Sequence, residues 1–352
     1  MKRTRTKTEN LGEQIKDHAA KKPKKKKALE GNVEIITSTG STLLDLAITG
    51  GRIRGGGLPN SIMIEIFGAE GMGKTVILSE IAGYIQRGGG EVLFNDPESR
   101  FNKQFAKIFD YELDTKNYFN PDTVTEVFTN IRKWKPKNLD VVNAICTDSL
   151  AALSTNMEMD NEDGDKMGMR RGKEFSEGFR KNARLLAKKK YLMVCSNQIR
   201  DTTATMGPKT EPPGGRAIRF YASVRIKLTP VLKNHKITKK KTIHGKEVSK
   251  VEGITIMAEI VKNSTWKPFR SAPVSILFDY GIDDIRQNLQ YIKDFTGSKV
   301  YKVNDKILGK SMDKAIIAVE EGNLEDELKN QVIDLWEEIE KKFETNRKKK
   351  KR

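Results

Sequence analysis

The chain has 352 residues, enough for one large α/β domain with a smaller partner or for two to three ordinary domains. Only 37% of residues are hydrophobic, no apolar run is long enough to span a bilayer, and the basic N-terminus lacks an apolar stretch behind it; no membrane-spanning helix is expected and secretion is disfavoured. The net charge of +18 is concentrated, with +8 in residues 1–27 and +7 in 341–352, so a near-neutral body of about +3 carries two basic tails suited to a polyanion.

The first 32 residues read as a basic arm. Leu11, Ile15 and Ala19 repeat at helical spacing, and Pro23 and the following lysines end that short helix. The lysine runs KKPKKKK and KKKKR also fit solubility tails or localisation signals, and composition does not choose among these. From Ser61 the chain alternates. SIMIEIFG, EVLFND, VVNAICTD and YLMVCSNQ read as strands; KTVILSEIAGYIQRG, FNKQFAKIFD, TVTEVFTNIRKW and SEGFRKNARLLAKK read as helices. Repeated βα order with nearly continuous apolar strands predicts a mostly parallel sheet with helices on both faces. A run from Phe220 to Leu228 reads as a further strand, followed by ITIMAEIVKN and APVSILF; the basic stretch 233–250 reads as an exposed hairpin or insert. IRQNLQYIKDF, DKAIIAVEEG and LEDELKNQVIDLWEEIEKKF read as helices of a small C-terminal lobe. Cys146 and Cys195 lie in strand-like runs and read as buried thiols of a reducing compartment; the three histidines show no ligand spacing.

Two stretches carry chemistry. GAEGMGKT (Gly68, Ala69, Glu70, Gly71, Met72, Gly73, Lys74, Thr75) fits G-x-x-x-x-G-K-[ST] between a strand and a helix. The glycines let backbone N–H groups face a phosphate, and the helix N-terminus adds partial positive charge. Lys74 supplies a cation for the β- and γ-phosphates of a nucleotide, and Thr75 a hydroxyl for Mg2+. Asp148 ends an apolar strand, where a carboxylate holds Mg2+ through water; a helix N-cap is the rival reading. Glu98, at another strand tip, suits a base for the attacking water, with Asp96 competing for the role. The second stretch, residues 199–215, is a run of Thr, Pro, Gly and Lys with nothing to pack, and loops of that length are functional or disordered.

Together STGSTLLDLAI, GLPNSIMIEIFGAEGMGKT, DPES, TDSLAAL, GDKMG, NQIR, PPGGRAIRFYASVR and IVKN resemble the bacterial and phage RecA-like recombinase family, collinearly over about 33–343. PPGGRAIRFYASVR directly after NQIR is the specific part; the phosphate loop alone is shared by many ATPases. The resemblance implies a RecA-like P-loop ATPase core over 33–280, a small α/β C-terminal domain over 281–343 and a basic tail over 344–352. It implies that 200–215 is a DNA-binding loop, with Arg200, Met206, Lys209, Gly214, Gly215 and Arg216. An earlier DNA loop lies around 157–172, with Met167, Arg170, Arg171 and Lys173. Glu98 matches the family's catalytic glutamate, and Gln198 its γ-phosphate sensor. Lys262 matches a lysine that reaches the ATP of the next subunit, while its usual companion falls on Ser264, a departure that implies either replacement by Lys267 or weaker stabilisation of the γ-phosphate from the next subunit. Phe105 and Asn102 take the adenine-side positions; Phe220, Arg219 and Arg225 take the subunit interface. The implied activity is a DNA-dependent ATPase that forms a helical filament on single-stranded DNA, also engages duplex DNA, and carries out strand exchange. Single-strand-binding and loader proteins are implied partners. The implied location is the cytoplasm, at the nucleoid or in a host cell, with nuclear targeting by the lysine runs left open. A weakly hydrolysing DNA-coating mediator and a ring helicase are the alternatives. The family's usual acidic C-terminal tail is replaced here by a basic one, which implies help in capturing duplex DNA.

Overall fold

Each βα repeat returns its chain over the sheet, so the apolar strands of the first half align in parallel. The computed structural model describes residues 35–160, 167–201, 210–211, 213, 215–233, 235–348 and 350. The expected N-terminal arm and its helix lie outside these residues. One sheet of ten strands dominates. In chain order these are β1 (Met63–Gly68), β2 (Val92–Asn95), β3 (Tyr118–Phe119), β4 (Ala144–Thr147), β5 (Leu192–Gln198), β6 (Val224–Pro230), β7 (Lys236–Ile243), β8 (Lys246–Asn263), β9 (Ser271–Leu277) and β10 (Gly281–Ile282). The order across the sheet is β10-β9-β8-β6-β1-β5-β4-β2-β3, with β7 paired to β8. From β6 to β3 every pairing is parallel, and from β6 to β10, as between β7 and β8, every pairing is antiparallel. This is the expected mostly parallel α/β core, with an antiparallel flank.

Both faces of the parallel half are covered, which explains strands without polar alternation. In β5, Leu192 and Val194 join the larger core while Met193 and Cys195 join a second core on the other face. Helix α1 (Lys74–Arg87) buries Ile77, Leu78, Ile81, Ala82 and Ile85, a stripe at helical spacing, on the first face. The second face carries α2 (Val124–Lys133), α3 (Met167–Lys189) and α4 (Gly215–Tyr221). A capping box starts α2: Thr123 and Glu126 each satisfy the other's backbone N–H.

The C-terminal part adds α5 (Asp284–Thr296), a two-stranded hairpin (Tyr301–Val303 with Lys306–Gly309), α6 (Met312–Glu321) and α7 (Glu325–Lys342). Its apolar residues, Leu289, Val319, Leu328 and Val332 among them, belong to the same core cluster as β1 and α1. Polar contacts tie it down too. The Asp284 carboxylate accepts from the Thr42 N–H and hydroxyl, each at 2.7 Å.

Three expectations change. Phe220 is not in a strand: residues 215–221 are helical, and the strand begins at Val224. The segment 157–172 is not simply a loop, because Asn156–Asp160 is helical and α3 begins at Met167; residues 161–166 lie outside the described set. FNKQFAKIFD contributes only one short helix, Lys103–Lys107, capped by Asn102.

Candidate functional site

Four parallel strands end on the same side of the sheet, and the chemistry gathers there, as open α/β sheets generally arrange it. β1 ends at Gly68 and runs into the phosphate-loop segment; β2 delivers Asp96 and Glu98, β4 delivers Asp148, and β5 ends at Gln198. A cavity of about 410 Å3 opens between them, lined by Glu70, Gly71, Lys74, Thr75, Glu98, Asp148 and Gln198, with Phe101, Asn102 and Phe105 on one flank.

Two glycines of the loop have local reasons. Gly68 lies so close to β6 that a Cβ would stand 2.5 Å from the Leu228 carbonyl oxygen. Gly73 caps α1 in the left-handed region, at φ 73°, and a Cβ there would strike Ile276 at 2.3 Å.

The Lys74 ammonium donates to the Gly68 and Ala69 carbonyls at 3.1 and 2.7 Å. Burial pulls its pKa below the ordinary lysine value, while the nearby carboxylates of Asp148, Glu70 and Glu98 act in the opposite direction. The Thr75 hydroxyl donates to Asp148 Oδ2 at 2.6 Å. Asp148 Oδ1 accepts from Ser196, on the neighbouring strand. Burial raises the Asp148 pKa, and the two hydroxyl donors partly reverse this.

Glu98 is held at both oxygens. Its Oε1 accepts from Ser149 at 2.8 Å and from the Gln198 amide at 3.3 Å, and its Oε2 pairs with Arg100 at 2.9 Å. Asp96, its rival, reaches the same wall but is tied into the fold. Its Oδ2 accepts from the Phe101 N–H at 2.8 Å and from the Tyr118 hydroxyl at 2.6 Å, and the residue is buried. The geometry therefore brings Glu98, not Asp96, into contact with Gln198. On the flank, Asn102 Oδ1 accepts from the Phe105 N–H at 2.9 Å as a helix cap. Phe105 meets Phe101 edge to face at 5.7 Å.

Beneath the tip of β5 lies a polar cluster that periodicity could not reveal. Glu65, fully buried in β1, accepts from Asn197 at 2.9 Å and from Arg225 Nε at 2.5 Å. The Arg225 guanidinium also lies 4.5 Å from the centre of the Phe67 ring. Asn197 donates in turn to the Pro213 carbonyl at 3.1 Å. Arg200–Asp201 and Thr210–Glu211 form a short antiparallel ladder, so the segment after Gln198 is tied at its base. Met206, Lys209 and Gly214 lie outside the described residues, and Gly215 opens α4.

Arg216 is exposed at the start of α4, and Phe220 is 76% exposed near its end. Lys262 donates to the Arg219 and Phe220 carbonyls at 2.7 and 3.0 Å, a cation on a helix C-terminus. Its pKa is lowered by burial and by Arg225. Arg225, expected at a subunit interface, is turned inward onto Glu65. Ser264 lies beside β6, its N–H donating to the Ser223 carbonyl at 2.8 Å, and the Lys267 ammonium sits 5.5 Å from the Trp266 ring centre. On α3, whose first residue is Met167, Arg170 and Lys173 are exposed, whereas Arg171 is paired with Glu158 at 3.2 Å.

The sequence reading missed Ser196, Arg100, Asn197 and Glu65. The partners of Ser196, Asn197 and Glu65 are distant in the chain, as in the Glu65–Arg225 contact across 160 residues, whereas Arg100 pairs with Glu98 only two residues away.

Comparison with known proteins bears on this site. The family model for the RecA N-terminal domain matches residues 13–283. Protein RecA of Rhodopirellula baltica is 31% identical over 303 residues, covering 84% of this chain and 76% of that protein. Protein RecA of Symbiobacterium thermophilum is 32% identical over 258 residues, 71% of this chain and 67% of that one. Protein RecA of Treponema denticola is 32% identical over 320 residues, 89% and 70% respectively.

Proposed function

The chain belongs to the RecA family, whose members bind ATP and DNA in recombination and repair, and on that premise we propose that it is a DNA-dependent ATPase that assembles on single-stranded DNA as a helical filament and catalyses homologous pairing and strand exchange. The observation that carries this reading is the contact of Gln198 with Glu98, because one residue then joins the ATP cavity to the segment that follows β5.

In this reading the backbone N–H groups of 68–75 and the N-terminus of α1 receive the phosphates of ATP. Lys74 turns from its own loop carbonyls onto the β- and γ-phosphates. The Thr75 hydroxyl and, through water, the Asp148 carboxylate, 2.6 Å apart, are the hard oxygen donors that would hold Mg2+ together with the phosphates. Bound there, Mg2+ would neutralise charge on the β- and γ-phosphates. Glu98 orients the attacking water and removes its proton, with Ser149, Arg100 and Gln198 fixing its oxygens. Phe105 and Asn102 flank the base. Lys262 reaches the neighbouring protomer's nucleotide, and Phe220 with Arg219 forms the contact between protomers. Arg225 acts from beneath that surface by holding Glu65. Single-stranded DNA is engaged by Met167, Arg170, Arg171 and Lys173 on one side, and by Arg200, Met206, Lys209, Gly214, Gly215 and Arg216 on the other. The chain divides into the arm 1–32, the core 33–280, the lobe 281–343 and a basic tail that aids capture of duplex DNA. Its partners are DNA, copies of itself, and single-strand-binding and loader proteins, and it acts in the cytoplasm. Among the described residues no helix is long and apolar enough to cross a membrane.

The decisive test is ATP hydrolysis by the purified chain with and without long single-stranded DNA. Strong stimulation is the expected result. Ser264, at the place of a second cation, favours one other reading: a DNA-coating mediator that binds ATP and scarcely turns it over. ATP-dependent DNA binding without turnover would select that reading, and Ser264→Lys would then be expected to raise turnover.

A further inference from the structure

The antiparallel flank carries a feature that the ATP cavity does not explain. From Gly253 onward β8 has β9 as a neighbour, but from Lys246 to Glu252 its strand partner is β7 alone. Residues 238–252 are all exposed, so the two strands leave the sheet as a free ribbon. His244 and Gly245 close it with positive φ values of 49° and 75°, the geometry of a tight hairpin turn.

Directly paired residues share a face, and the two faces differ in charge. One face carries the pairs Thr238↔Val251, Lys240↔Ser249 and Thr242↔Glu247, and its single lysine is neutralised by Glu247 at 2.8 Å. The other carries Lys239↔Lys250, Lys241↔Val248 and Ile243↔Lys246. There Lys239 meets Glu252 at 3.4 Å, while Lys241, Lys246 and Lys250 have no ion-pair partner among the described residues. Lysines on an edge strand deter sheet-to-sheet aggregation, but that needs no single charged face. Placing Lys239 directly opposite Lys250 costs stability, a cost that an anion on this face would relieve.

We propose that the lysine face of the β7–β8 ribbon is a contact site for the phosphate backbone of duplex DNA. The proposal rests on the DNA-acting reading above and adds a site to it. Three features favour duplex over single-stranded DNA and over sequence reading. Residues 236–251 contain no Phe, Tyr or Trp, so the ribbon lacks the stacking platform that single-strand sites use. They contain no Arg, so the fork that reads a base edge bidentately is absent. What remains is a row of point charges on a two-stranded ribbon about 20 Å long, of a width that a duplex major groove admits. Contacts of this kind position a duplex without reading its sequence.

The test compares the full chain with the triple variant Lys241→Ala, Lys246→Ala, Lys250→Ala. Binding to a labelled duplex of mixed sequence and to a single strand of equal length is titrated across salt, and ATP turnover on single-stranded DNA is read from the same preparations. The expected result is a loss of duplex affinity of about tenfold or more, with the slope of log K against log salt smaller by about 2–3, as loss of three phosphate contacts requires. Turnover stimulated by single strands stays as in the parent chain, and arginine at the three positions restores duplex binding. Lys240→Ala, on the neutral face, changes neither. Unchanged duplex affinity and slope would overturn the proposal, and so would an equal loss on single strands and duplex. A parent chain without stimulated turnover would remove the ATPase reading and leave the duplex comparison readable.

Discussion

The cavity at the ends of the parallel strands and the ribbon of the antiparallel flank use charge in opposite ways. Lys74 and Glu65 are buried and Asp148 is half-buried; they are few, and each has fixed partners. The ribbon lysines are many, exposed and largely unpartnered. A buried charge is costly to create and strongly coupled to its neighbours, so one substitution should have a large and specific effect. A solvated charge is weak alone and acts by number, screened by salt.

The widest gap is expected at Lys74. Lys74→Ala should abolish stable ATP binding and lower turnover by at least about 10^2-fold; a variant that still exchanges strands at the parental rate would remove the ATP site from the mechanism. Glu98→Gln keeps the size of the side chain but cannot accept a proton. It should lower kcat by about 10^2- to 10^4-fold while nucleotide binding persists, and equal losses of binding and turnover would point to a folding defect. Glu65→Ala strands Arg225, whose side chain is only 11% exposed. It should destabilise the protein by about 3–5 kcal/mol in denaturant unfolding. A cost under about 1 kcal/mol, the range of an exposed pair, would put Glu65 in the class of the ribbon charges.

Asp45 allows the comparison to be made with pH. Burial raises its pKa from 3.8 to about 6 despite hydrogen bonds from Ser38 and Thr39. A raised carboxyl pKa favours the folded state below the unfolded value, and that contribution is lost as pH rises through the folded one. Between about pH 4 and 6 the parent chain should lose about 3 kcal/mol relative to Asp45→Asn. Parallel stability curves across that window would show that Asp45 titrates as a solvated group. The smallest effect belongs to the ribbon. Lys250→Glu, which places opposite charges across from Lys239, should stabilise the hairpin locally by about 0.2–1 kcal/mol. Slower hydrogen exchange of amides in 238–251 would register it, and faster exchange would count against the like-charge cost.

The phosphate loop, the strands around it and the small C-terminal helices were legible because their signals are local: glycine spacing, apolar runs and helical stripes. The different ties of Asp96 and Glu98 were not, since Tyr118 and Gln198 supply them from other strands. Residues 220–221 misled because Phe220 and Tyr221 suit a strand as well as a helix, and packing of Ala217 and Ile218 onto the second core selects the helix. The ribbon was legible as an exposed hairpin or insert, but its unequal faces were not, because two solvated faces erase the alternation that marks a half-buried strand.

The bond from Asn197 to Pro213, together with the ladder of Arg200–Asp201 on Thr210–Glu211, makes the segment after Gln198 a ring rather than a flap. Whatever path the intervening residues take, both ends return to one strand tip. The entropy of bringing those ends together belongs to folding itself. The two ties, at Asn197 and at the Arg200–Asp201 ladder, flank Gln198 on either side along the chain.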